Sequence, residues 1–342
     1  MTDIVDVYGI GNPLIDVLVN TSDAEVSDFG LVKGTMNLIE PDRGAELLAS
    51  LTHKEKRYAC GGSCPNTLIA LSAFGARTVL AGKIGTDELG EVYDQRLRRH
   101  GVHSKLKTHE GVTGTSLIMV TPDSERTMNT HLGTCRHFCE ADVDFDLIAA
   151  AQYLHFTGYM WDTESQKRAV ISAIERARDA GTTIVFDVAD PFAAERNREE
   201  FEELIREHVD IVFANSREAE LLLGTGDPAE AARMLGVHTA FAVVKAGVRG
   251  SYVQEAGESV RHVPATYTDN VVDTTGAGDV YAAGFIHGLL RGKTAAEAGA
   301  FAGFVASKII GKLGAQFHEQ EAAELAAAFE TERYKDAAYV TS

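Results

Sequence analysis

The sequence predicts an α/β fold in which helices cover a mostly parallel central sheet and a small β lid is inserted into this core. Apolar, β-branched runs alternate with amphipathic stretches of helical spacing, first over 78–84 and 87–100 and then over 153–156 and 164–180. This alternation indicates crossover helices over a parallel sheet. Of the 342 residues, 45% are hydrophobic, enough to bury a large core. We expect a single domain over 1–342.

The alternation continues through the second half of the chain. The predicted strands are 183–188, 210–213 and 241–244, and the predicted helices begin at Ala193, Ser216 and Pro228. Two short runs, 250–254 and 260–263, predict an antiparallel edge of the sheet. From Ala277 onward the pattern is helical, and it ends with the Ala-rich stretch 320–329.

Two stretches, 14–40 and 105–132, break this rhythm, and we predict that together they form the lid. In the second, residues 115–121 and 126–131 alternate as paired strands around the turn Pro122-Asp123-Ser124. A lid built from strands has an edge that can pair with another copy, so the sequence allows a monomer or a homodimer.

Charge and hydropathy exclude several classes of partner. Fifty acidic residues against 32 basic ones give a net charge of −18, which opposes binding to nucleic acid or to an anionic membrane. The first residues lack a signal-peptide pattern, and no segment has the roughly 20 apolar residues needed to span a bilayer. The cysteine pairs, Cys60 with Cys64 and Cys135 with Cys139, are spaced more widely than the C-x-x-C of metal sites. We expect a cytoplasmic protein whose partner is a small molecule.

The most informative segment is Asp273-Thr-Thr-Gly-Ala-Gly-Asp279, which is followed directly by an apolar helix. Free backbone N–H groups at a helix N-terminus, together with the helix dipole, can bind a phosphate. Asp279 is placed to orient and deprotonate an attacking hydroxyl. The spacing alone is equally compatible with a glycine-rich turn in which Asp279 only stabilises the first helical turn.

This segment is the most specific motif of the ribokinase-like (PfkB) family of carbohydrate and nucleoside kinases, which the chain resembles over about residues 4–316. The resemblance implies a three-layer αβα sandwich that uses ATP and Mg²⁺ to phosphorylate a hydroxymethyl group of a small molecule. It also implies that Asp279 is the catalytic base. The N–H groups of Gly276, Ala277 and Gly278 then form an anion hole for the transferred phosphate.

Two further segments imply the acceptor side of the site. Gly61-Gly62 precedes a helix with Asn66 in its first turn, and in the family this turn approaches the substrate hydroxyls. On pattern alone, two glycines before a helix are also typical of a purely structural turn. The opening Gly-Ile-Gly-Asn12-Pro-Leu-Ile-Asp16 resembles the family's first strand, so Asn12 and Asp16 are implied to bind substrate. A dinucleotide site is excluded there because a leucine replaces the third glycine.

The ATP side is implied first by Asn215 and Glu218, which match the family's Asn-x-x-Glu motif. In that motif the glutamate acts on Mg²⁺ through water, because Mg²⁺ usually retains several waters. The same two residues also have the spacing of a helix capping box, and both interpretations stay open.

Two later segments complete the ATP side by resemblance: the strand and turn beneath the nucleotide, and the segment that closes over the adenine. The residues implied are Lys245, Gly247, Gly250, Gly314 and Ala315. In some members the adenine segment also helps to bind a potassium ion. Asp273 and Thr275 then form the other side of that ion site.

The acceptor itself is implied by resemblance to the adenosine kinase branch, carried by Gly-Asn-Pro-Leu-Ile-Asp near the N-terminus and by Asp190-Pro-Phe192 after a central strand. Phe192 then stacks on a purine, and apolar side chains line the base pocket. The implied pocket residues are Met36, Leu38, Met128, Leu132 and Tyr159. Arg126 precedes the second lid strand and is expected to reach the transferring phosphate when the lid closes.

We therefore expect ATP-dependent phosphorylation of adenosine. Three alternatives stay open on the sequence: a kinase for inosine or guanosine, a kinase for ribose or fructose, and a catalytically silent nucleoside-binding module. The complete motif from Asp273 to Asp279 argues against the silent module.

Overall fold

The structure is a computed structural model that describes residues 5–123 and 125–337. Its strands are β1 (Val5–Ile10), β2 (Leu14–Asn20), β3 (Met36–Leu38), β4 (Arg57–Gly61), β5 (Thr78–Ala81), β6 (Lys83–Gly85), β7 (His103–Ser104), β8 (Lys107–His109), β9 (Thr113–Val120), β10 (Arg126–Gly133), β11 (Ala151–Thr157), β12 (Thr183–Asp187), β13 (Ile211–Asn215), β14 (Phe241–Lys245), β15 (Ser251–Glu255) and β16 (Arg261–Val263). Its helices are α1 (Asp23–Asp28), α2 (Pro41–Ser50), α3 (Ser63–Ala73), α4 (Glu88–Arg99), α5 (Phe145–Ala150), α6 (Glu164–Ala180), α7 (Pro191–Arg196), α8 (Arg198–His208), α9 (Ser216–Leu223), α10 (Pro228–Leu235), α11 (Ala277–Leu290), α12 (Ala295–Ile309), α13 (Glu319–Glu330) and α14 (Tyr334–Ala337).

The central sheet has nine strands in the order β16-β15-β14-β13-β12-β11-β1-β5-β7. From β14 to β7 every neighbouring pair is parallel, and β15 and β16 add an antiparallel edge. Both features confirm the fold class that the sequence predicts. Parallel strands are buried on both faces, which explains why their sequences are apolar runs without strict alternation.

Helices cover both faces of this sheet and give it three layers. Val7 and Val243 pack in one core with residues of α3, α11 and α12. Tyr8 and Val244, the next residues along the same strands, pack in a second core with residues of α6, α8 and α9. Among the described residues, no helix is long and apolar enough to cross a membrane.

A second sheet of five strands, in the order β3-β10-β9-β2-β4, is built from β4 and from the two segments predicted to form the lid, and we refer to this sheet as the lid. β9 and β10 pair antiparallel, with Met128 opposite Ile118, around the predicted turn, of which Ser124 lies outside the described residues. The lid differs from the prediction because β4 lies outside both predicted segments, and because β8 pairs with β6 and not with the lid. β4 is an edge strand defined by its long-range pairing with β2, which five residues alone do not signal.

Other predicted elements are present with bounds shifted by a few residues at most, and α6 has the predicted bounds. Two elements differ more. The strand predicted over 78–84 ends at Ala81, because residues 83–85 pair with β8 outside the central sheet. The helix predicted from Ala193 is two helices, α7 and α8, which meet at Asn197.

The parallel strands end along one edge of the central sheet. Asp187, Asn215 and Lys245 are the last residues of β12, β13 and β14, and Asn12 follows β1. Open α/β sheets bind ligands beyond the carboxyl ends of their strands, so the candidate site is expected at this edge.

Candidate active site

The chain from Gly276 to Asp279 forms the turn that starts α11. Gly276 has φ 73°, in the left-handed region that favours glycine, and a Cβ there would collide with Ala315. The Ala277 N–H donates back into the preceding loop, with N···O 3.2 Å. Within the described part of the chain, nothing accepts from the N–H groups of Gly276, Gly278 and Asp279. The turn therefore presents free donors at the positive end of a helix of 14 residues, as an anion site requires.

Two side chains from the first turn of α3 hold the carboxylate of Asp279. Ser63 Oγ donates to Oδ1 at 2.6 Å, and Asn66 Nδ2 donates to Oδ2 at 3.0 Å. Thr67 Oγ1 donates to the backbone oxygen of Asp279 at 3.3 Å. The N-termini of two helices thus meet at one carboxylate. Asn66 belongs to the predicted site, whereas Ser63 and Thr67 do not.

The environment of Asp279 suits a general base. Burial raises the pKa of its carboxyl group to about 6, although the hydrogen bonds from Ser63 and Asn66 oppose the rise. The group is therefore ionised at neutral pH, yet it accepts a proton more readily than an exposed aspartate does.

A partly buried lysine lies beneath the same turn. Lys245 Nζ is 2.9 and 3.2 Å from the two carboxylate oxygens of Asp187, and it is 3.2 Å from the place that a Cβ on Gly278 would occupy. Burial alone would lower the pKa of Lys245, but the charges of Asp187 and Glu218 raise it above its usual value. The lysine is thus protonated at neutral pH, and its charge adds to that of the helix N-terminus.

One face of the lid sheet carries the predicted lid residues. The register places Asp16 beside Ser116, Ser116 beside Thr130, and Thr130 beside Leu38. Because side chains alternate along a strand, residues two apart share this face. The predicted residues that share it with Asp16 are Met36, Leu38, Arg126, Met128 and Leu132.

Asp16 is the acidic group of this face. Burial raises the pKa of its carboxyl group to about 7, while the charge of Arg126 opposes the rise and that of Asp279 adds to it. A Cβ at Gly61 would collide with the Asp16 carboxylate. The glycine therefore allows strand β4 to pass close to this carboxylate.

Arg126, at the start of β10, joins the lid to the loop before α11. Its guanidinium pairs with the carboxylate of Asp273 and donates to Thr275 Oγ1. The lid is thus held against the loop that leads to Asp279. A guanidinium on the lid, a carboxylate at a helix N-terminus and a partly buried lysine together suit transfer of an anionic group.

Residues 29–322 match the pfkB family carbohydrate kinases. The chain belongs to this family. The match confirms the resemblance drawn from the Asp273 to Asp279 motif, and it identifies the protein as a phosphotransferase with an alcohol group as acceptor.

Solved structures similar to this pfkB kinase include an adenosine kinase from Sinorhizobium meliloti, with 37% identity, a TM-score of 0.88 and coverage of 96% of this chain and 99% of that one. A probable sugar kinase from Rhizobium etli CFN 42 is 33% identical, with a TM-score of 0.88 and coverage of 96% and 99%. An uncharacterized sugar kinase from Archaeoglobus fulgidus is 30% identical over 254 residues, which are 72% of this chain and 97% of that protein. The relatives thus include both nucleoside and sugar kinases.

Asn215 and Glu218 of the pfkB kinase form a complete capping box at the start of α9. Asn215 Oδ1 accepts from the Glu218 N–H at 2.9 Å, and the Glu218 carboxylate accepts from Asn215 N at 2.7 Å and from Nδ2 at 2.6 Å. Burial raises the pKa of Glu218 to about 7, with the charge of Lys245 opposing the rise. Each carboxylate oxygen accepts one hydrogen bond from Asn215 and keeps a further lone pair, so Glu218 fits a role on Mg²⁺ through water, which stays a prediction.

Asp273 connects three parts of the pfkB kinase. Its Oδ1 accepts from Thr275 N at 2.8 Å, and its Oδ2 accepts from Gly314 N at 2.7 Å and pairs with Arg126. The residue is 3% exposed. Three of the four lone pairs of the Asp273 carboxylate are used in these contacts, and its role on potassium stays a prediction. The residue joins the loop before α11, the Gly314 segment and the lid.

The remaining predicted ATP-side residues of the pfkB kinase lie in loops. Gly247 and Gly250 bound a short 3-10 turn after β14. A Cβ on Gly250 would collide with the backbone oxygen of Val263, so this glycine has a structural reason to be there. Ala315 is buried against Gly276, which places the predicted adenine segment beside the anion site.

On the acceptor side, Tyr159 Oη donates to Ala189 O at 3.5 Å, and Phe192 has 58% of its surface exposed. An exposed aromatic ring at the carboxyl edge of the sheet is free to stack on a ligand.

Asn12, in contrast, is buried, and its Oδ1 accepts from Gln166 Nε2 at 2.7 Å. A Cβ at Gly62 would collide with the Asn12 backbone oxygen. Asn12 therefore also has a structural role in the pfkB kinase.

Asp187 and Ser63 are absent from the predicted set, although both had a usable signal. Asp187 ends a parallel strand, where α/β folds place ligand-binding residues. Ser63 stands between Gly61-Gly62 and Asn66. Their contacts, with Lys245 and with Asp279, span 58 and 216 residues of sequence, which no local pattern reveals.

Proposed function

We propose that this kinase transfers the γ-phosphoryl group of ATP to the 5′ hydroxyl of adenosine, giving ADP and AMP. The observation that carries the proposal is the position of Asp279. Its carboxylate is oriented by Ser63 and Asn66, and it stands in the same turn as the free N–H donors of Gly276 and Gly278. A base and an anion site within one helical turn suit the attack of a hydroxyl on a phosphoryl group.

Asp279 accepts the proton of the acceptor hydroxyl. The hydroxyl oxygen forms a bond to the γ-phosphorus, the bond from that phosphorus to the β–γ bridging oxygen breaks, and ADP leaves with the electron pair. The N–H groups of Gly278 and Asp279, together with the Lys245 charge, stabilise the negative charge on the transferred group.

The lid prepares this step. Asp16 accepts hydrogen bonds from the acceptor hydroxyls, the lid sheet excludes water, and Arg126 supplies positive charge to the phosphate. Mg²⁺ bound with ATP neutralises part of the phosphate charge, and Glu218 would hold it through water.

Adenosine is favoured by the apolar part of the lid face. Met36, Leu38 and Met128 lie on the same face as Asp16, and Phe192 is exposed at the carboxyl edge of the sheet. Such side chains suit a flat heteroaromatic ring. The similarity to the Sinorhizobium meliloti adenosine kinase supports the same acceptor. Inosine and guanosine share the purine ring and are the nearest alternatives.

A sugar is the second candidate acceptor, and a polar row on the lid face favours it. Ser116 Oγ and Thr130 Oγ1 lie 2.8 Å apart, both are buried, and Asp16 pairs beside Ser116. Two hydroxyls and a carboxylate in one row suit the hydroxyl groups of ribose or fructose. The sugar kinases among the relatives support this alternative.

The test is ADP release from purified protein with MgATP and, in turn, adenosine, inosine, guanosine, cytidine, ribose and fructose. Adenosine is expected to give the highest kcat/KM, and Asp279→Asn is expected to abolish most turnover. Turnover with sugars alone would support the kinase activity but contradict the proposed purine pocket. Calorimetric binding of adenosine without any turnover would instead support a silent nucleoside-binding module.

A further inference from the structure

The pair formed by Asp187 and Lys245 lies at the carboxyl ends of β12 and β14, directly under the turn that starts α11. Asp187 is 2% exposed, and both of its carboxylate oxygens are within hydrogen-bond distance of Lys245 Nζ. In the proposed reaction, Lys245 stabilises the charge of the transferred group, whereas Asp187 has no role. A buried carboxylate next to a phosphate site otherwise weakens anion binding, so its presence requires an explanation.

The position of the Lys245 ammonium is not determined by its own side chain. A lysine has a flexible four-carbon stem and a compact charge that can pair in several directions. Three carboxylates act on this charge, those of Asp187, Glu218 and Asp279. Of these, only Asp187 forms an ion pair with Lys245 in the described part of the chain.

The alternative pairings would harm the proposed reaction. An ion pair between Lys245 and Asp279 would occupy the carboxylate that must take the acceptor proton. An ion pair with Glu218 would draw the ammonium away from Gly278. The observed pair with Asp187 avoids both and leaves Nζ beneath the free N–H donors.

We propose that Asp187 is a positioning residue for phosphoryl transfer: its carboxylate holds the Lys245 ammonium beneath Gly278, facing the transferred phosphate, and keeps it from pairing with Asp279. This inference rests on the proposed function in one respect, because it requires phosphate to bind at the α11 turn. It does not depend on which alcohol is the acceptor.

The sign of the effect separates positioning from simple electrostatics. Removing the negative charge of Asp187 would strengthen phosphate binding if only net charge mattered. If Asp187 positions Lys245, removing its charge is expected to weaken binding of the γ-phosphate. Asp187→Asn is the suitable change, because an amide oxygen at Oδ1 can still accept the 3.2 Å hydrogen bond from Ala189 N.

The first experiment is a double-mutant cycle with Asp187→Asn, Lys245→Met and the double variant, using the acceptor with the highest turnover. Asp187→Asn is expected to lower kcat by roughly 10- to 100-fold, and Lys245→Met by about 10²-fold. KM for the acceptor is expected to stay unchanged. If Asp187 acts through Lys245, the double variant has the kcat of Lys245→Met. Multiplicative losses in the double variant would overturn the proposal.

The second experiment needs no acceptor, so it separates failure of this inference from failure of the proposed function. Calorimetry gives Kd for MgADP and for the magnesium complex of a non-hydrolysable ATP analogue. The ratio of these two Kd values measures how much the γ-phosphate contributes to binding. Asp187→Asn is expected to raise Kd for the analogue about 10-fold more than Kd for MgADP. An unchanged or opposite ratio would overturn the inference.

Matched controls exclude a loss of folding as the cause. Asp210→Asn changes a carboxylate at the opposite edge of the same sheet, where it accepts from Ile184 N, and it is expected to leave the Kd ratio unchanged. If Asp187→Asn alone proves too unstable to purify, the double variant with Lys245→Met removes both charges of the pair and avoids an unpaired one. Its Kd ratio must then equal that of Lys245→Met, and a further loss would count against the proposal.

Discussion

Ser63 Oγ donates a 2.6 Å hydrogen bond to the carboxylate of Asp279, across 216 residues of sequence. With Asn66 on the other oxygen, this bond fixes the direction in which the carboxylate can accept a proton. The remaining lone pairs of the carboxylate are the ones available to a substrate hydroxyl.

Asp279→Asn is expected to lower kcat by roughly 10² to 10⁴, because the amide accepts a proton poorly. The fold is expected to be retained, since an amide oxygen can still accept from Ser63. Steady-state kinetics and circular dichroism check both points. The matched control is Asp179→Asn, an exposed aspartate at the end of α6, which should leave kcat unchanged. Near-normal turnover by the Asp279 variant would refute the role of base.

The pH dependence follows from the raised pKa of Asp279, about 6. The ionised form is the base, so kcat/KM is expected to rise with pH through this value and to level off above it. Asp16 and Glu218, both with pKa raised to about 7, titrate nearby, so the measured midpoint belongs to the coupled group. A flat rate profile between pH 5 and 8 would contradict the assignment.

The same raised pKa of Asp279 predicts that the free energy of unfolding falls with rising pH, whereas kcat/KM rises. Because the folded-state pKa lies above the ordinary value of 3.8, the folded protein binds this proton more tightly than the unfolded chain. The contribution of Asp279 to stability is full below pH 3.8 and is lost as pH rises through 6. Relative to wild type, Asp279→Asn is thus expected to gain in unfolding free energy between pH 5 and pH 8. Chemical denaturation at the two pH values measures the difference, and an equal effect at both would count against it.

Gly276→Ala is expected to destabilise the fold by more than the cost of a left-handed residue, which is about 1 to 3 kcal/mol. The added Cβ would also collide with Ala315. Gly224→Ala is the matched control, because Gly224 has the same φ of 73° and open space around it. The difference between the two free energies of unfolding measures the collision. Equal losses would show that the contact with Ala315 does not constrain the turn.

Arg126→Lys is expected to reduce kcat/KM by roughly 10- to 100-fold, because an ammonium cannot contact Asp273 and Thr275 together as the planar guanidinium does. Arg99→Lys on the exposed face of α4 is the control and should behave as wild type. Initial-rate kinetics with MgATP give the comparison. Equal rates for the two variants would contradict a role of Arg126 in the reaction.

Phe192→Ala is expected to raise KM for adenosine by about 5-fold, as loss of an aromatic stacking partner costs about 1 kcal/mol. Its ring is 58% exposed, so little core packing is lost and the melting temperature should hold. Val237→Ala, at a residue 69% exposed, is the control for a surface truncation. An unchanged KM for adenosine would argue for a sugar acceptor.

The sequence predicts the central sheet well because its strands and crossover helices have strong, local apolar periods. Asp279 and Asn66 are also predictable, since each lies in a motif at the start of a helix. The fifth lid strand, β4, and the Asp187 partner of Lys245 are not. Both depend on contacts between distant segments, and neither the Arg57–Gly61 run nor an aspartate after a strand identifies its partner.

Strand β4 belongs to the lid, and Gly62 alone separates it from Ser63 at the start of α3. In the proposed mechanism, the backbone that covers the acceptor therefore continues within two residues into the backbone that orients the base. A shift of the lid at Gly61 cannot be absorbed by a long linker. Closure of the lid over the substrate and the orientation of the Asp279 carboxylate are therefore expected to be coupled through Gly62.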